Sequence, residues 1–326
     1  MRADPEEKPS VGEPQRIGDD LRCVLAPNPS PMTFWGTNTY LLGHRGLAVI
    51  DPGPDHDGHL AAILAALDPG QSVSHILVTH AHLDHAPLAR RLSQETGAPV
   101  LAYGDAQAGR SAIMQELAAR ADVGGGEGVD AEFTPDLALC DGEQVAGDGW
   151  SLTALWTPGH FGNHLCFDTG RDLFSGDLVM GWASSLVSPP DGDLTQFMAS
   201  CARLRARAPA RLLPGHGAPV TDPVARLDWL IAHRKGREAA ILKALADGPQ
   251  TARALANRLY TETPPALLPA AARNVLAHLI DLHDRKAVLA EGALHPATRF
   301  RLPHSPGAAG PVPESPIPPP LDKNRS

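Results

Sequence analysis

Hydrophobic residues of the 326-residue chain fall into short runs separated by stretches of helical spacing. Five runs bounded by Gly, Pro or Asp are typical of buried β-strands, namely 47–50, 75–79, 99–102, 152–156 and 165–167. Apolar residues recur at every third or fourth position over 59–67, 87–96 and 194–204, which predicts helices. The pattern therefore predicts an α/β fold with helices covering its sheets.

The last third of the chain has a different pattern. A long helical pattern covers 222–247, Thr251 can cap a short helix through 260, and Pro269 opens a further helix. Residues 287–289 and 299–302 then predict a terminal hairpin, and three helices followed by a hairpin is the order of a winged helix.

These patterns divide the chain into four parts: a flexible N-terminus over 1–16, an α/β domain over 17–221, a connecting helix with a winged helix over 222–302, and a tail over 303–326. The tail holds eight prolines in 24 residues together with Gly and Ser. We expect it to be disordered, because such a composition cannot bury a core.

Composition bears on the cellular compartment. The first eight residues are charged and contain proline where a secretory signal needs an apolar run, and no stretch approaches 18 apolar residues. Four cysteines lie far apart without a C-x-x-C motif, which is typical of reduced thiols. We therefore expect a cytoplasmic protein with no membrane segment.

Charge is distributed unevenly. A net charge of -9 argues against indiscriminate nucleic-acid binding by the whole molecule. Residues 234–302 nevertheless contain eleven Lys and Arg against six Asp and Glu, a local net charge of +5. A basic face on the winged helix is therefore compatible with the sequence, although winged helices also serve as dimer interfaces or lids.

Three imidazoles and a carboxylate lie within six residues, between a predicted strand and a predicted helix: His80, His82, Asp84 and His85. A lone histidine is more often a hydrogen-bonded core residue than a metal ligand. Four ligand-type side chains on one tight loop are not typical of a core, and zinc accepts both imidazole nitrogen and carboxylate oxygen. The loop therefore predicts a metal site.

The run His80-x-His82-x-Asp84-His85 resembles the signature of the metallo-β-lactamase superfamily. Three further turns of that superfamily follow in order, 157–160, 174–177 and 213–217, and they contain His160, Asp177 and His216. The resemblance implies a four-layer αββα sandwich. It also implies that His80, His82 and His160 hold one ion, that Asp84, His85 and His216 hold a second, and that Asp177 bridges both.

The same resemblance implies a binuclear metal-dependent hydrolase. Its cofactor would be two Zn²⁺, although Mn²⁺ or Fe²⁺ suits the same nitrogen and oxygen ligands, and its nucleophile a metal-bridging hydroxide. Asp84 would also orient that hydroxide. His164, four residues after His160, is predicted to be catalytic, by contacting the substrate or donating a proton, and the alternative is a hydrogen bond behind the ligands. Asp51 matches a motif whose carboxylate lies behind the ligands, but an Asx turn before proline explains it equally well.

Within the superfamily, glyoxalase II and the persulfide dioxygenases have a Gly-Cys-Gly-Arg-type segment after the bridging aspartate, and this chain lacks it. The chain resembles instead the β-lactamase-like protein 2 group, over roughly residues 17–302. The resemblance lies in Asn38-Thr39-Tyr40, the metal-binding turns, a helix with His233-Arg234 and the terminal winged helix. Some members of that group are reported as single-stranded endoribonucleases.

Three hypotheses about function remain. The first is a hydrolase of phosphodiesters or single-stranded RNA that uses the basic segment. The second is a thioester or other acyl hydrolase acting on a small metabolite, with glyoxalase II-like chemistry. The third is a winged-helix nucleic-acid regulator with structural metals, which is disfavoured because structural zinc sites leave no open position. A homodimer through the C-terminal domain is a further prediction.

Overall fold

A computed structural model of the protein describes residues 8–120 and 122–303. The predicted disordered tail lies outside these residues, apart from Pro303. Residues 14–16, assigned above to a flexible N-terminus, instead form an edge strand that pairs with 22–24. None of the described helices is both long and apolar enough to cross a bilayer.

The first sheet has seven strands in the order of the chain. Its strands are β1 (Pro14–Arg16), β2 (Leu21–Leu25), β3 (Asn38–Leu42), β4 (Gly46–Ile50), β5 (Ser72–Leu77), β6 (Val100–Ala102) and β7 (Leu137–Ala138). Strands β1 to β4 are antiparallel, and β4 to β7 are parallel. The helices between its strands are α1 (Asp57–Ala65), α2 (Leu88–Thr96) and α3 (Ala112–Ala118).

The second sheet has five strands in the order β12-β11-β10-β9-β8. These are β8 (Gln144–Ala146), β9 (Ser151–Trp156), β10 (Leu165–Asp168), β11 (Asp172–Gly176) and β12 (Arg211–Pro214). Helix α4 (Leu194–Arg207) links β11 to β12, which are parallel to each other. Because β9 and β10, and β10 and β11, are antiparallel, the strands β9, β11 and β12 all end at one edge.

Alternation along the strands produces the layers. On β4, Leu47 and Val49 join the helix-covered core, while Ala48 and Ile50 point to the other face and pack with the second sheet. The outer face of the second sheet packs against α4 and α5 (Pro223–Leu245). The order helix, sheet, sheet, helix confirms the predicted four-layer sandwich.

The C-terminal part also confirms its predicted order. Helix α5 is followed by β13 (Gln250–Thr251), α6 (Ala252–Leu259), a 3₁₀ turn (Pro265–Leu267), α7 (Leu268–Asp284), β14 (Leu289–Ala290) and β15 (Arg299–Arg301). The side chain of Thr251 accepts a hydrogen bond from the amide of Ala254 and so caps α6 as expected. Strand β15 pairs antiparallel with β13 and β14.

The two parts of the chain share one core. Met114 and Leu117 of α3, together with Val123, are buried in the same cluster as Val275 and Phe300 of the C-terminal part. Burying side chains of this size contributes about 1.5–3 kcal/mol each. Hydrophobic packing is therefore continuous between the residues before and after 222. The domain boundary predicted at that residue stays a prediction.

The four cysteines are free thiols. Burial raises the pKa of Cys23, Cys166 and Cys201 to about 12, so these three remain protonated within the core. Cys140 differs from them because it is exposed.

Candidate metal centre

Four strand ends meet at one edge of the sandwich. The His80 to His85 loop follows β5, His160 follows β9, Asp177 follows β11, and His216 follows β12. Carboxyl ends of strands that run in the same direction lie together, which is where α/β folds place their ligands. All seven ligand residues predicted from the sequence are therefore brought to one place.

One group consists of His80, His82 and His160. The Nε2 atom of His80 lies 2.9 Å from Nδ1 of His82, and Nε2 of His160 lies 3.1 Å from that same Nδ1. Ring nitrogens at such distances repel each other through their lone pairs unless a proton or a cation lies between them. This geometry agrees with the predicted ligand set of one ion.

A second group consists of Asp84, His85 and His216. The Nε2 atoms of His85 and His216 are 3.3 Å apart, and Oδ2 of Asp84 lies 3.1 Å from Nε2 of His216. Asp177 lies between the two groups. Its Oδ2 is 3.3 Å from His216 Nε2 and 3.8 Å from His160 Nε2. This position agrees with the predicted role of Asp177 between two ions, which stays a prediction.

Hydrogen bonds to the far ring nitrogens orient three of these histidines. The Nδ1 atom of His85 lies 2.9 Å from Oδ2 of Asp51, that of His160 lies 2.7 Å from the Leu186 carbonyl, and that of His216 lies 3.1 Å from the Gly36 carbonyl. Each Nδ1 can donate only if it carries the proton. The Nε2 lone pair then faces the centre, the usual arrangement behind a metal ligand.

Asp51 lies behind the loop that contains His80 to His85 and forms hydrogen bonds with it. It is buried, its Oδ1 accepts from the Thr79 amide at 2.7 Å, and its Oδ2 accepts from the Thr79 hydroxyl at 2.8 Å. The same hydroxyl lies 2.9 Å from Nδ1 of His80. Of the two interpretations of Asp51, the structure therefore favours the one behind the ligands, because this carboxylate orients both His80 and His85.

Protonation differs between the two groups. Burial lowers the pKa of His82 to about 3, which keeps this ring neutral and able to coordinate. Burial acts against the charged form of His216 as well, but the neighbouring carboxylates of Asp177 and Asp84 outweigh it and raise the pKa to about 9. A cation at this second group would replace that proton.

The residues fit a pair of divalent cations. Burial would raise the pKa of Asp177, but His216 and His85 hold it well below its usual range, so the carboxylate is charged. Its Oδ1 is nevertheless buried without a hydrogen-bond partner. A buried charged oxygen without a donor is costly. This oxygen lies among imidazole nitrogens and a second carboxylate. Such a set of nitrogen and oxygen donors is what a zinc-like ion requires.

Close backbone approach at this edge requires glycine. A Cβ at Gly215 would lie 2.6 Å from Oδ1 of Asp177 and 2.6 Å from Cε1 of His85. Gly176, which precedes Asp177, has a φ of +47°, and a Cβ there would lie 2.6 Å from Nε2 of His164. The glycines of the predicted turns thus let the chain pass directly beside the ligands.

A cavity of about 450 Å³ opens onto the centre and exposes His82, Asp84, His160 and Asp177. Apolar side chains form much of its wall: Met32, Met180, Leu186, Pro269 and Ala270. The last two lie in the first turn of helix α7, and Arg273 of that helix also lines the cavity. The C-terminal part therefore supplies one wall of the site, which local sequence patterns did not indicate.

His164, predicted to be catalytic, lies beneath the ligands. It has no exposed surface and is not among the residues that line the cavity. Its ring centre is 5.2 Å from that of His80, and its Nδ1 lies 3.1 Å from the Thr157 hydroxyl. The structure thus brings His164 close to the centre but not to the space open to a substrate.

The catalytic role of His164 stays a prediction, and His164→Ala tests it. A group that exchanges a proton with the substrate would lower turnover by about 10²–10⁴-fold with both ions still bound. Because the ring is buried against His80, we expect instead that metal and activity are lost together. The measurement is metal content by mass spectrometry beside kcat, with His75→Ala as a partly buried histidine control outside the centre.

Comparisons with known proteins agree with this geometry. Residues 32–216 match the metallo-beta-lactamase superfamily, and residues 251–295 match the beta-lactamase associated winged helix domain. A beta-lactamase-like protein 2 homolog from Drosophila melanogaster is 32% identical over 281 residues, covering 82% of this chain and 89% of that protein. These findings confirm the resemblance drawn from the motifs.

Two further proteins are informative. The chain is 29% identical over 257 residues to the atrochrysone carboxyl ACP thioesterase of Cryptosporiopsis sp. (strain 8999), covering 76% of this chain and 70% of that one. The crystal structure of a metallo-beta-lactamase family protein from Thermus thermophilus superposes with a TM-score of 0.71 at 27% identity, covering 88% of this chain and all of that one.

Proposed function

The chain belongs to the metallo-β-lactamase superfamily of hydrolases, and on this premise we propose a binuclear enzyme that hydrolyses small acyl thioesters or related acyl esters. His80, His82 and His160 would hold one cation, Asp84, His85 and His216 the other, and Asp177 would contact both. When bound, the cations supply Lewis acidity, which polarises a carbonyl oxygen and makes water more acidic. Zinc is the proposed metal because the donors are imidazole nitrogen and carboxylate oxygen.

Asp84 is the proposed catalytic carboxylate. Its side chain is 26% exposed, lines the cavity and lies on the first loop beside His85. The other ligand carboxylate, Asp177, is 8% exposed and lies between the two histidine groups. Asp84 is thus placed both to bind a cation and to orient an attacking water through its second oxygen.

The lining and the volume of the cavity support one class of substrate over the others. Its walls of Met32, Met180 and Leu186 offer apolar contact to an acyl group, and Pro269 and Ala270 close the side next to α7. A volume of about 450 Å³ matches a small-molecule pocket. Single-stranded RNA is instead bound in grooves whose cationic side chains follow the phosphates.

Two arginines of the predicted basic segment have acidic partners within the chain. Arg285 pairs with Asp281 and with Glu238. Arg299 lies 3.7 Å from a Glu291 oxygen and donates to the Pro249 carbonyl. The acidic partner of such an arginine offsets part of its attraction for a phosphate backbone. This supports the acyl hydrolase over the RNA hydrolase, and the thioesterase relative, 29% identical, supports the same choice.

A substrate panel tests the proposal. We expect the two-zinc protein to hydrolyse acyl thioesters at least 100-fold faster, by kcat/KM, than bis(p-nitrophenyl) phosphate or a fluorescent single-stranded RNA, because the apolar walls favour an uncharged acyl group over a charged phosphodiester. Thiol release and phenolate release give the two rates, and Asp84→Asn serves as the matched inactive control.

The RNA arm decides between the two hypotheses. We expect weak RNA binding that is unchanged in Arg285→Gln/Arg299→Gln, since both cations already have partners inside the chain. A salt slope of binding that falls in the double variant, together with faster cleavage of RNA than of thioesters, would establish the RNA hydrolase instead. The homodimer and the cytoplasmic location stay predictions.

A further inference from the structure

The segment 178–190, which follows Asp177, is held by arginines from the C-terminal helices. Arg226 donates to the carbonyls of Met180 and Ala183, and Arg234 donates to those of Ser184 and Ser185, each at 2.8 Å. Arg273 donates to the Ser188 hydroxyl and the Pro189 carbonyl. These contacts connect one wall of the cavity to α5 and α7.

Arg234 is the unusual member of this set. It is 3% exposed, and among the described residues no carboxylate lies within 4 Å of its guanidinium. Within the described part of the chain, its guanidinium contacts two carbonyls, the side-chain oxygen of Asn274 and the face of Phe197, whose ring centre is 4.9 Å away. Burying a cation without a counter-ion is expensive, so a purely structural purpose would be better served by an apolar side chain.

The contacts of Arg234 end at a ligand of the proposed metal centre. Asn274 accepts from Nη1 of Arg234 at 3.0 Å and from the Val187 amide at 3.0 Å. That amide belongs to the same peptide unit as the Leu186 carbonyl, which lies 2.7 Å from Nδ1 of His160. One rigid peptide therefore has its N–H fixed by Asn274 and its oxygen directed at His160.

The preceding residue shows that this peptide needs support. Ser185 has a φ of +62°, a left-handed conformation that is unfavourable for a residue with a Cβ. Its carbonyl is one of the two held by Arg234, and its hydroxyl donates to the Leu178 carbonyl. The surrounding contacts therefore stabilise a backbone conformation that the segment would not favour alone.

We propose that Arg234 and Asn274 are positioning residues of the hydrolase, which set the orientation of His160 through the Leu186–Val187 peptide. The C-terminal part is then an internal support of the metal centre. The inference rests on the proposed role of His160 as a ligand. His160 belongs to the first group of ligands only. A disturbed peptide should therefore weaken binding of the ion at His80, His82 and His160 and spare binding of the ion at Asp84, His85 and His216.

Zinc affinity measured against a chromophoric chelator tests this directly. In Asn274→Leu, which removes the acceptor of the Val187 amide, we expect one of two Zn²⁺ to bind up to about 10–100-fold more weakly, the range found when the direct hydrogen-bond partner of a ligand is lost. The other ion should keep its affinity. Asn274→Asp retains an acceptor oxygen and should restore both ions. Arg234→Lys, which keeps the charge but loses the fork, should resemble Asn274→Leu.

Arg237→Met is the matched control. Arg237 lies on the same helix but stacks on Tyr260 and donates to the Leu259 carbonyl, so it should leave both affinities unchanged. A folded Asn274→Leu protein with two wild-type affinities, or with both ions equally weakened, would overturn the inference. His160→Ala is the reference for loss of one ion. If wild type does not bind two ions, the proposed function itself fails, whereas the loss of an ion in His160→Ala but not in Asn274→Leu rejects only the positioning role.

Discussion

Asp177→Ala should lose both metal ions and activity together. Asp177 has carboxylate oxygens within 4 Å of ring nitrogens of His85, His160 and His216, which span the two groups. Removing it leaves the convergent imidazoles with less negative charge to offset two cations. A loss of several kcal/mol of transition-state stabilisation, at about 1.4 kcal/mol per factor of ten, corresponds to a fall in kcat/KM of about 10³-fold or more.

Metal content by inductively coupled plasma mass spectrometry and kcat/KM on the same preparation provide the measurement. Asp177→Asn keeps the size of the side chain and removes its charge, so it should approach the alanine variant. Asp84→Ala is the contrasting variant. Because Asp84 belongs to the second group of ligands only, we expect this variant to lose one ion. Two tightly held ions in Asp177→Ala, with normal turnover, would refute the bridging role.

A chain that ends after Asp222 should aggregate instead of folding. It lacks Leu227 and Leu230 of α5, which cover α4 and the outer face of the second sheet. It also exposes Met114 and Leu117, which share a core with α7. Losing the cover of five or more such side chains, at about 2 kcal/mol each, approaches the whole stability of a domain, about 5–15 kcal/mol.

Size-exclusion chromatography and calorimetry would show this as loss of the monomer peak and of a cooperative transition. A chain that ends after residue 303 is the control, since it retains every described contact of α5 and α7 and should melt like the full chain. A cooperative melt of the chain ending at 222, at the temperature of the full protein, would instead establish that the winged helix is an independent appendage.

Local patterns determined much of this protein. Short apolar runs predicted the strands at 47–50, 152–156 and 165–167, because a buried strand needs only a few consecutive apolar residues between turn formers. Thr251 identified the start of α6 because capping is a contact within one turn. The ligand loop was evident for the same reason, since four ligand-type side chains occur within six residues.

Edge strands and irregular segments were harder to predict. Strand β1 has no buried residue, so no apolar pattern separated Pro14–Arg16 from a flexible terminus. Asp51 admitted two interpretations, because its partners Thr79 and His85 lie 28 and 34 residues away along the chain. A contact of that kind leaves no periodic signal in the sequence.

Only the tertiary structure decided what the C-terminal arginines do. Counting charges over 234–302 indicated a basic face, but Arg285 and Arg299 have acidic neighbours, Arg234 is buried, and Arg273 lines the cavity. The support of His160 by Asn274 likewise depends on a backbone carbonyl, which every residue possesses. The sequence alone determined the chemistry of the ligands, because that depends on residue type. The packing of α5 and α7 determined what surrounds them. Those contacts join residues that are far apart along the chain and meet only in the folded protein.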